Sequence, residues 1–484
     1  MEIDMRLLSC DCTRLEAGSS YAAGPTACIA HPDVLENIKH QVVSGQVLST
    51  ADAKLAARAG WLGIPKIARS GFNDGVVYPP SQTDAQALRD EAGRPPTKQL
   101  ALPAPDAKTT LNCLVLLVDF SDLPGQQTPS HYRTLLFDSG NPDSMNRFYW
   151  DLSGHKLDVT GQVVGWLRAE HPYAYYVDGQ SGTGDGFPRN TPGLLDEILR
   201  RYCDGNSLKP FDVNGDGYLD GLFLVHAGGG AEAEAEPLRR KSLIWSHKWT
   251  LPEPFTNDGV KAYAYFTAPE NGRLGVFSHE FGHFLGLPDL YDTSYRSAGV
   301  GNWCLMGGGS WNGGGERPSR MSAWCLEQLG WIRPQPLTAS ASLALDTLEK
   351  DASACYRIDS VSEAREYFLL ENRQQAGRDD KLPGSGLALW HIDETQSDNT
   401  NPLAYKVALV QADGRRDLEF GRKPDDPADL FPGQAAVRSV DDRGAKHPHT
   451  RWNDGTASGI ALTEITEEDG IVTVDVTLKE VAVS

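Results

Sequence analysis

The sequence predicts an α+β protein with a small helical N-terminal segment and an all-β, sandwich-like C-terminal domain. Three observations carry this. The chain has 484 residues, beyond the roughly 250–300 at which a single hydrophobic core stops growing. Between about 106 and 336, apolar runs of strand length mix with amphipathic helical stretches. From about 337, short strands recur between turn-rich stretches. The expected divisions are 1–105, 106–336 and 337–484.

The N-terminal part begins with HPDVLENIKHQVVSG, where Val34, Leu35 and Ile38 have helical spacing. VLSTADAKLAARAGWLG reads as a second short helix, and the Pro- and Gly-rich stretch from Ser70 to Lys108 as a linker. A small helical unit on a long linker suits a pro-segment or docking arm. LNCLVLLVDFSD is a continuous apolar run, as expected of a buried strand. SMNRFYWDLS reads as a helix and KLDVTGQVVGWL as a strand. PGLLDEILRRYC reads as a helix with Pro192 near its start and Leu194, Leu195, Ile198 and Leu199 on one face. YLDGLFLVHA, SLIWSHKW and VKAYAYFTA are strand candidates; GRLGVFSHEFGHFLGL and SRMSAWCLEQLGW are helices. In the last third, SLALDTL, EYFLLENR, GLALWHID, KVALVQAD and IVTVDVTL are strands.

Composition narrows the function. The chain carries 45 basic and 65 acidic residues, a net charge of -20. Such a surface repels phosphate backbones, which argues against a nucleic-acid partner. No stretch approaches the roughly 18–20 apolar residues of a membrane span, so integral membrane association is not expected. MEIDMRLLSCDCTRLEAGSS has no apolar h-region, so no signal peptide is visible. The eight cysteines fix neither a disulfide pattern nor a compartment, and the oligomeric state is not legible.

The most informative stretch is SHEFGHFLGLPDLYD. His279 and His283 stand four apart, on one helix face, so both imidazoles reach one metal. Zinc lowers the pKa of a bound water to about 7, and Glu280, beside the first ligand, can take that proton and deliver it to a leaving amine. Two buried histidines beside a buried carboxylate are costly without a metal or full hydrogen bonding. Gly286 can adopt positive φ and end the helix, turning the chain so that a ligand three residues later returns under the metal. The metzincin pattern has His there; here it is Asp289, whose carboxylate suits zinc. Asp292 is the competing third ligand. Downstream, CLMGGGSWNGGG places Met306 in a glycine-rich turn; in metzincins a methionine in such a turn forms a hydrophobic floor under the metal.

HEFGHFLGLPDLYD, GVGNWCLMGGGSWNG and PSRMSAWCLEQLGW together resemble the M6 metalloproteases, the immune inhibitor A group. The likeness extends to FDVNGDGYLDGLFLVHAGGG, IWSHKW and EYFLLENRQQAGRDDKLPGSGLALWHID, covering roughly 110–435. HPDVLENIK is similar to the start of the family's pro-region. The resemblance implies a zincin/metzincin-like catalytic domain and a secreted zinc endopeptidase, made as a zymogen, that acts on protein or peptide substrates. Carried over by position, His279, His283 and Asp289 bind zinc and Glu280 is the base. Leu290 departs from the family, whose members often have an acidic residue after the LPD. Tyr291, Tyr295 and His247 are candidate donors to the developing oxyanion, and 260–268 is the candidate edge strand for substrate.

FDVNGDGYLDG sets Asp212, Asn214, Asp216, Tyr218 and Asp220 at the spacing of an EF-hand-like calcium loop, with Gly217 at the sharp turn and Phe223 where the usual Glu would stand. A structural Ca2+ is expected there. Asp413, Asp417 and Asp429 form a further acidic set able to hold a cation. Cys28 is a conceivable cap on the zinc. The rival to a peptidase is a catalytically silent, metal-stabilised binding protein acting through its β domain. Intact Glu280 and both histidines argue against it.

Overall fold

The computed structural model describes residues 108–479, apart from 185, 216, 235–236, 361–364 and 445, together with eleven positions between 26 and 44. Cys10, Cys12, Cys28, the second N-terminal helix and the linker lie outside the described residues. Val34, Asn37, Ile38, His40 and Gln41 are helical, as the spacing around HPDVLENIKH predicts.

A six-stranded mixed sheet organises the first part. Its strands are β1 (Thr26–Ala27), β2 (Thr109–Asp119), β3 (Leu157–Arg168), β4 (Leu222–His226), β5 (His247–Asn257) and β6 (Val260–Pro269), in the order β1-β5-β6-β4-β2-β3. β3, β2, β4 and β6 run parallel to one another, while β5 is antiparallel to β6 and β1 antiparallel to β5. Strand β2 shows why its sequence lacks alternation. Leu111, Cys113, Val115 and Leu117 enter one hydrophobic cluster, and Leu114, Leu116 and Val118 enter another on the opposite face. A strand covered on both sides needs apolar residues at every position.

Helices cover both faces. α1 (Pro129–Phe137), α2 (Met145–Leu152) and α4 (Leu274–Phe284) share the first cluster; α3 (Thr191–Tyr202) contributes Leu194, Leu195, Ile198 and Leu199 to the second. α3 starts where Asn190 Oδ1 accepts the Gly193 amide at 2.9 Å, with Pro192 inside the first turn. A short helix, α5 (Ala323–Gln328), leads out of this part.

Two more sheets follow. One has five strands in the order β12-β11-β10-β9-β7: β7 (Gln335–Pro336), β9 (Cys355–Asp359), β10 (Glu366–Arg373), β11 (Gly386–Asp393) and β12 (Val407–Leu409). The other has four in the order β13-β14-β15-β8: β8 (Ala341–Leu345), β13 (Val440–Asp441), β14 (Ile460–Glu468) and β15 (Ile471–Leu478). EYFLLENR, GLALWHID and IVTVDVTL coincide with β10, β11 and β15. Phe368, Leu370, Leu387 and Leu389 pack with Ile460, Leu462, Val472 and Val474 of the four-stranded sheet. Tyr367, Leu369, Ala388, Trp390 and Ile392, on the other face, join the cluster that contains α4. No helix among the described residues is long and apolar enough to cross a membrane.

Candidate metal centre

Every residue of α4 is buried, which matches its apolar character all round. α2 holds it on one side. Tyr149 donates its hydroxyl to the Ser278 carbonyl at 2.6 Å, and its ring meets Phe281 edge-on at 5.0 Å between centroids. The glycine-rich segment 307–315 holds the other side. A Cβ on Gly275 would lie 1.9 Å from the Ser310 carbonyl oxygen, and one on Gly282 would lie 2.5 Å from Met306 Sδ. Two glycines therefore let the helix seat itself against this segment, with the Met306 thioether beside it.

The helix ends in a paired set of hydrogen bonds. The Gly286 amide donates to His283 O at 3.1 Å and the Leu287 amide to Gly282 O at 3.1 Å, with Gly286 at φ +96°. This closes the last turn and reverses the chain, as a left-handed glycine allows. Asp289 then comes back under the histidines.

There, three donor atoms converge. Asp289 Oδ1 lies 3.1 Å from His279 Nε2 and 3.2 Å from His283 Nε2, and the two Nε2 atoms are 3.2 Å apart. All three side chains are buried, and they form the one set of three or more His, Cys, Asp or Glu ligand atoms within 4.8 Å of one another found among the described residues. His279 Nδ1 faces Leu305 O at 2.9 Å and His283 Nδ1 faces Leu287 O at 2.8 Å. With those nitrogens donating to carbonyls, neutral rings turn two bare Nε2 lone pairs toward a carboxylate. Lone pairs meeting at such distances call for a cation, and two imidazoles with one carboxylate suit zinc. Burial lowers the pKa of His283. Burial pushes Asp289 up, but the two imidazoles outweigh it and its pKa lies below the usual carboxylate value.

Glu280 is buried, and neither carboxylate oxygen has a hydrogen-bond partner among the described residues. Burial pushes its pKa well above the ordinary value; Asp289 and Glu232 add to this, and Lys248 opposes it. An acid with unspent oxygens beside a metal-ligand set is placed to handle a proton.

Asp292 does not join the set. Its Oδ1 accepts the Ser294 amide at 2.8 Å and its Oδ2 accepts the Ser297 hydroxyl at 2.7 Å, so it shapes the loop that follows Asp289. His247 has both ring nitrogens occupied, by Trp245 O at 2.7 Å and the Tyr265 hydroxyl at 3.1 Å. Tyr291 stays close, its ring 6.3 Å from that of His279, and the Tyr295 ring lies tilted against it at 5.6 Å. β6 lies between β5 and β4, so it is not an edge. The expectation for 260–268 fails because β5 covers that side, and β5 in turn carries β1.

In the loop at 212–220, Asp212 Oδ2 accepts the Gly217 amide at 3.1 Å; Asp220 Oδ2 accepts the amides of Asn112 at 2.9 Å and Val213 at 3.3 Å. Asn214 is exposed and Tyr218 half-buried, and Asp216 lies outside the described residues. Sequence reasoning missed Glu232 and Lys248 as charges around Glu280. Glu232 sits in the stretch GGGAEAEAE (228–236), which reads as a flexible flap near the cleft or a solvated loop, yet it is buried and accepts Ser246 Oγ at 2.6 Å.

Residues 103–332 match the family described as Immune inhibitor A peptidase M6, catalytic domain. Pre-pro-metalloprotease PrtV of Vibrio cholerae serotype O1 is 34% identical over 289 residues, covering 48% of this chain and 31% of that protein. Immune inhibitor A of Bacillus thuringiensis subsp. alesti is 32% identical over 250 residues, covering 41% of this chain and 36% of that protein. The match thus spans about a third of the length of these curated relatives. The stretch that matches the M6 peptidase catalytic domain, 103–332, contains the His279–His283–Asp289 cluster and Glu280.

Proposed function

We propose that the protein is a zinc-dependent endopeptidase that hydrolyses peptide bonds in protein substrates. The observation that carries this is the juxtaposition of three buried ligand atoms with a buried carboxylate whose oxygens are unspent. His279, His283 and Asp289 are the zinc ligands, and Leu305 O and Leu287 O set the tautomer and orientation of the two imidazoles. A zinc ion held there supplies Lewis-acid polarisation of the scissile carbonyl and acidifies the attacking water. Glu280 takes the water's proton and passes it to the departing amine, a role open to a carboxylate whose two oxygens are engaged by no other hydrogen bond among the described residues. Burial of the whole cluster excludes bulk water and strengthens these interactions. Met306 is a packing floor and not a ligand.

The wider reading follows from the same frame. The layout is zincin-like, with the ligand helix α4 under a mixed sheet in which β5 runs antiparallel to β6, β4, β2 and β3. The two C-terminal sheets, which share a core, form a sandwich-like domain after about 337. Residues 1–105 act as a pro-segment, supported by the pairing of Thr26–Ala27 with β5. The loop Asp212–Asp220 holds a structural Ca2+, and the enzyme works outside the cell, as a pro-form and its processing suggest.

The test is casein cleavage with bound zinc quantified in the same samples, for wild type and Glu280→Ala, before and after limited proteolysis. Glu280-dependent cleavage with about one zinc in both proteins is expected. Cleavage that appears only after proteolysis assigns inhibition to the N-terminal segment. Zinc without cleavage in any state favours the silent binding protein, and folded protein without zinc refutes the assignment.

A further inference from the structure

The N-terminal segment does more than pair with a free edge. Thr26 and Ala27 pair antiparallel with Lys248 and His247, and the same segment sets Ile29 and Ala30 against Tyr291 and Tyr295, which follow Asp289. Its backbone is gripped twice more: Trp311 Nε1 donates to Ile29 O at 2.9 Å, and the His31 amide donates to Glu232 O at 2.9 Å. Between these grips Ile29 and Ala30 are buried in a cluster with Tyr291 and Tyr295, flanked by Trp245 and Trp311. The His31 ring meets Trp311 edge-on at 4.9 Å. Tyr291 is the link to the chemistry, since it stands two residues after Asp289 and near the His279 ring.

An extended chain held through its backbone, with a side chain in an aromatic box, is how a sheet edge selects a peptide. Main-chain bonds supply affinity whatever the sequence, and the box supplies the preference. We infer that Tyr291, Tyr295 and Trp311 form a substrate subsite for an aliphatic side chain, which Ile29 and Ala30 fill in this structure. The inference rests on the endopeptidase reading and adds its selectivity. Aromatic walls favour an apolar occupant by desolvation, and they offer a carboxylate no cation to offset its lost hydration.

The experiment uses the full chain carrying Ile29→Asp, a change that places a charge in the box and displaces the segment. This protein, and the same protein with Tyr295→Ala, Tyr295→Phe or Glu280→Ala added, digests a mixed peptide library, and cleavage sites are mapped by mass spectrometry. The expected result is about a tenfold enrichment of Ile, Val and Leu at one fixed distance from the scissile bond. Tyr295→Ala abolishes the enrichment, and Tyr295→Phe, which keeps the ring and guards against a folding artefact, retains it. Glu280-dependent cleavage with no aliphatic preference overturns the subsite and leaves the endopeptidase standing. So does a preference that Tyr295→Ala leaves intact, or one that Tyr295→Phe loses. No Glu280-dependent cleavage by any of these proteins overturns the subsite together with the endopeptidase reading beneath it.

Discussion

Two glycines of α4 make opposite predictions under the same substitution. Gly→Ala in a helix interior gains up to about 1 kcal/mol from backbone propensity. Against this stands the space the new methyl requires. On Gly275 it would lie 1.9 Å from the Ser310 carbonyl oxygen and 3.2 Å from the Gly315 carbonyl oxygen. Both are backbone atoms, and the first is about 1.5 Å short of an ordinary contact. Helix and turn must separate, so Gly275→Ala is expected to cost about 3 kcal/mol. On Gly282 the nearest atoms are Met306 Sδ at 2.5 Å and Cε at 3.3 Å, the end of an unbranched, adaptable side chain. Overpacking of about 1–2 kcal/mol there is largely offset by the propensity gain. Gly282→Ala is therefore expected to fall within about 1 kcal/mol of wild type. Urea denaturation at constant m-value measures both. A cycle with Met306→Ala adds a check: the coupling should be at least about 0.5 kcal/mol for Gly282→Ala and small for Gly275→Ala. The reasoning is refuted if Gly275→Ala is the milder change.

Other expectations address the ligands and the buried charges. Asp289→Ala should lose its zinc in metal-buffered solution, whereas Asp292→Ala should keep about one per chain and only loosen the 292–297 loop; the reverse pattern would exchange their roles. Asp429 has a pKa raised to about 8, through burial first and then the nearby Asp413, Asp426 and Glu419, against a hydrogen bond from Trp303. Between about pH 4 and that value the folded chain keeps a proton that the unfolded chain has released, so stability falls as pH rises. Asp429→Asn should remove this fall, widening its advantage over wild type by up to about 4 kcal/mol from pH 5 to 8; a gap that does not vary with pH, read from unfolding curves, defeats the linkage. Arg373 is buried between Asp379, which accepts two bonds from it at 2.9 and 3.0 Å, and the Trp303 carbonyl at 2.8 Å. Arg373→Met removes the guanidinium bonded to Asp379 Oδ2, leaving the Arg320 amide on Oδ1, and should cost about 3 kcal/mol in chemical denaturation; a loss under about 1 kcal/mol would contradict that.

Local signals carried far in this chain. The i, i+4 spacing of His279 and His283 needs only a helix, and Gly286 marks its end by the conformation that a glycine alone adopts readily. The run from Leu111 to Phe120 announces burial on both faces. EYFLLENR and GLALWHID gave their strands to the residue. The failures are non-local. HKWTL and VKAYAYFTA are both strands of mixed polarity, and which of them borders the sheet depends on what pairs with it, not on its own residues. Asp289 and Asp292 differ as ligands only through the turn between them and through Ser294 and Ser297, which engage Asp292. Glu232 lies in a repeat of alternating Ala and Glu, a pattern that hides one buried member. β9 and β14 went unread because Arg357, Thr463 and Glu464 dilute their apolar periodicity.

The β10–β11 pair is apolar on both faces, facing the four-stranded sheet on one side and the α4 layer on the other. Glu371 accepts the first backbone amide of α5 at 3.0 Å, and Arg378 reaches Asp151 on α2 at 2.8 Å. Severing the chain near 337 would therefore not release a free-standing module. The two pieces would remain clasped through an apolar interface, running as a single band on a native gel and as two only after denaturation. A protease that nicks this chain between its sheets would leave it whole in shape, and the integrity of its peptide backbone would be a poor guide to whether its parts still hold together.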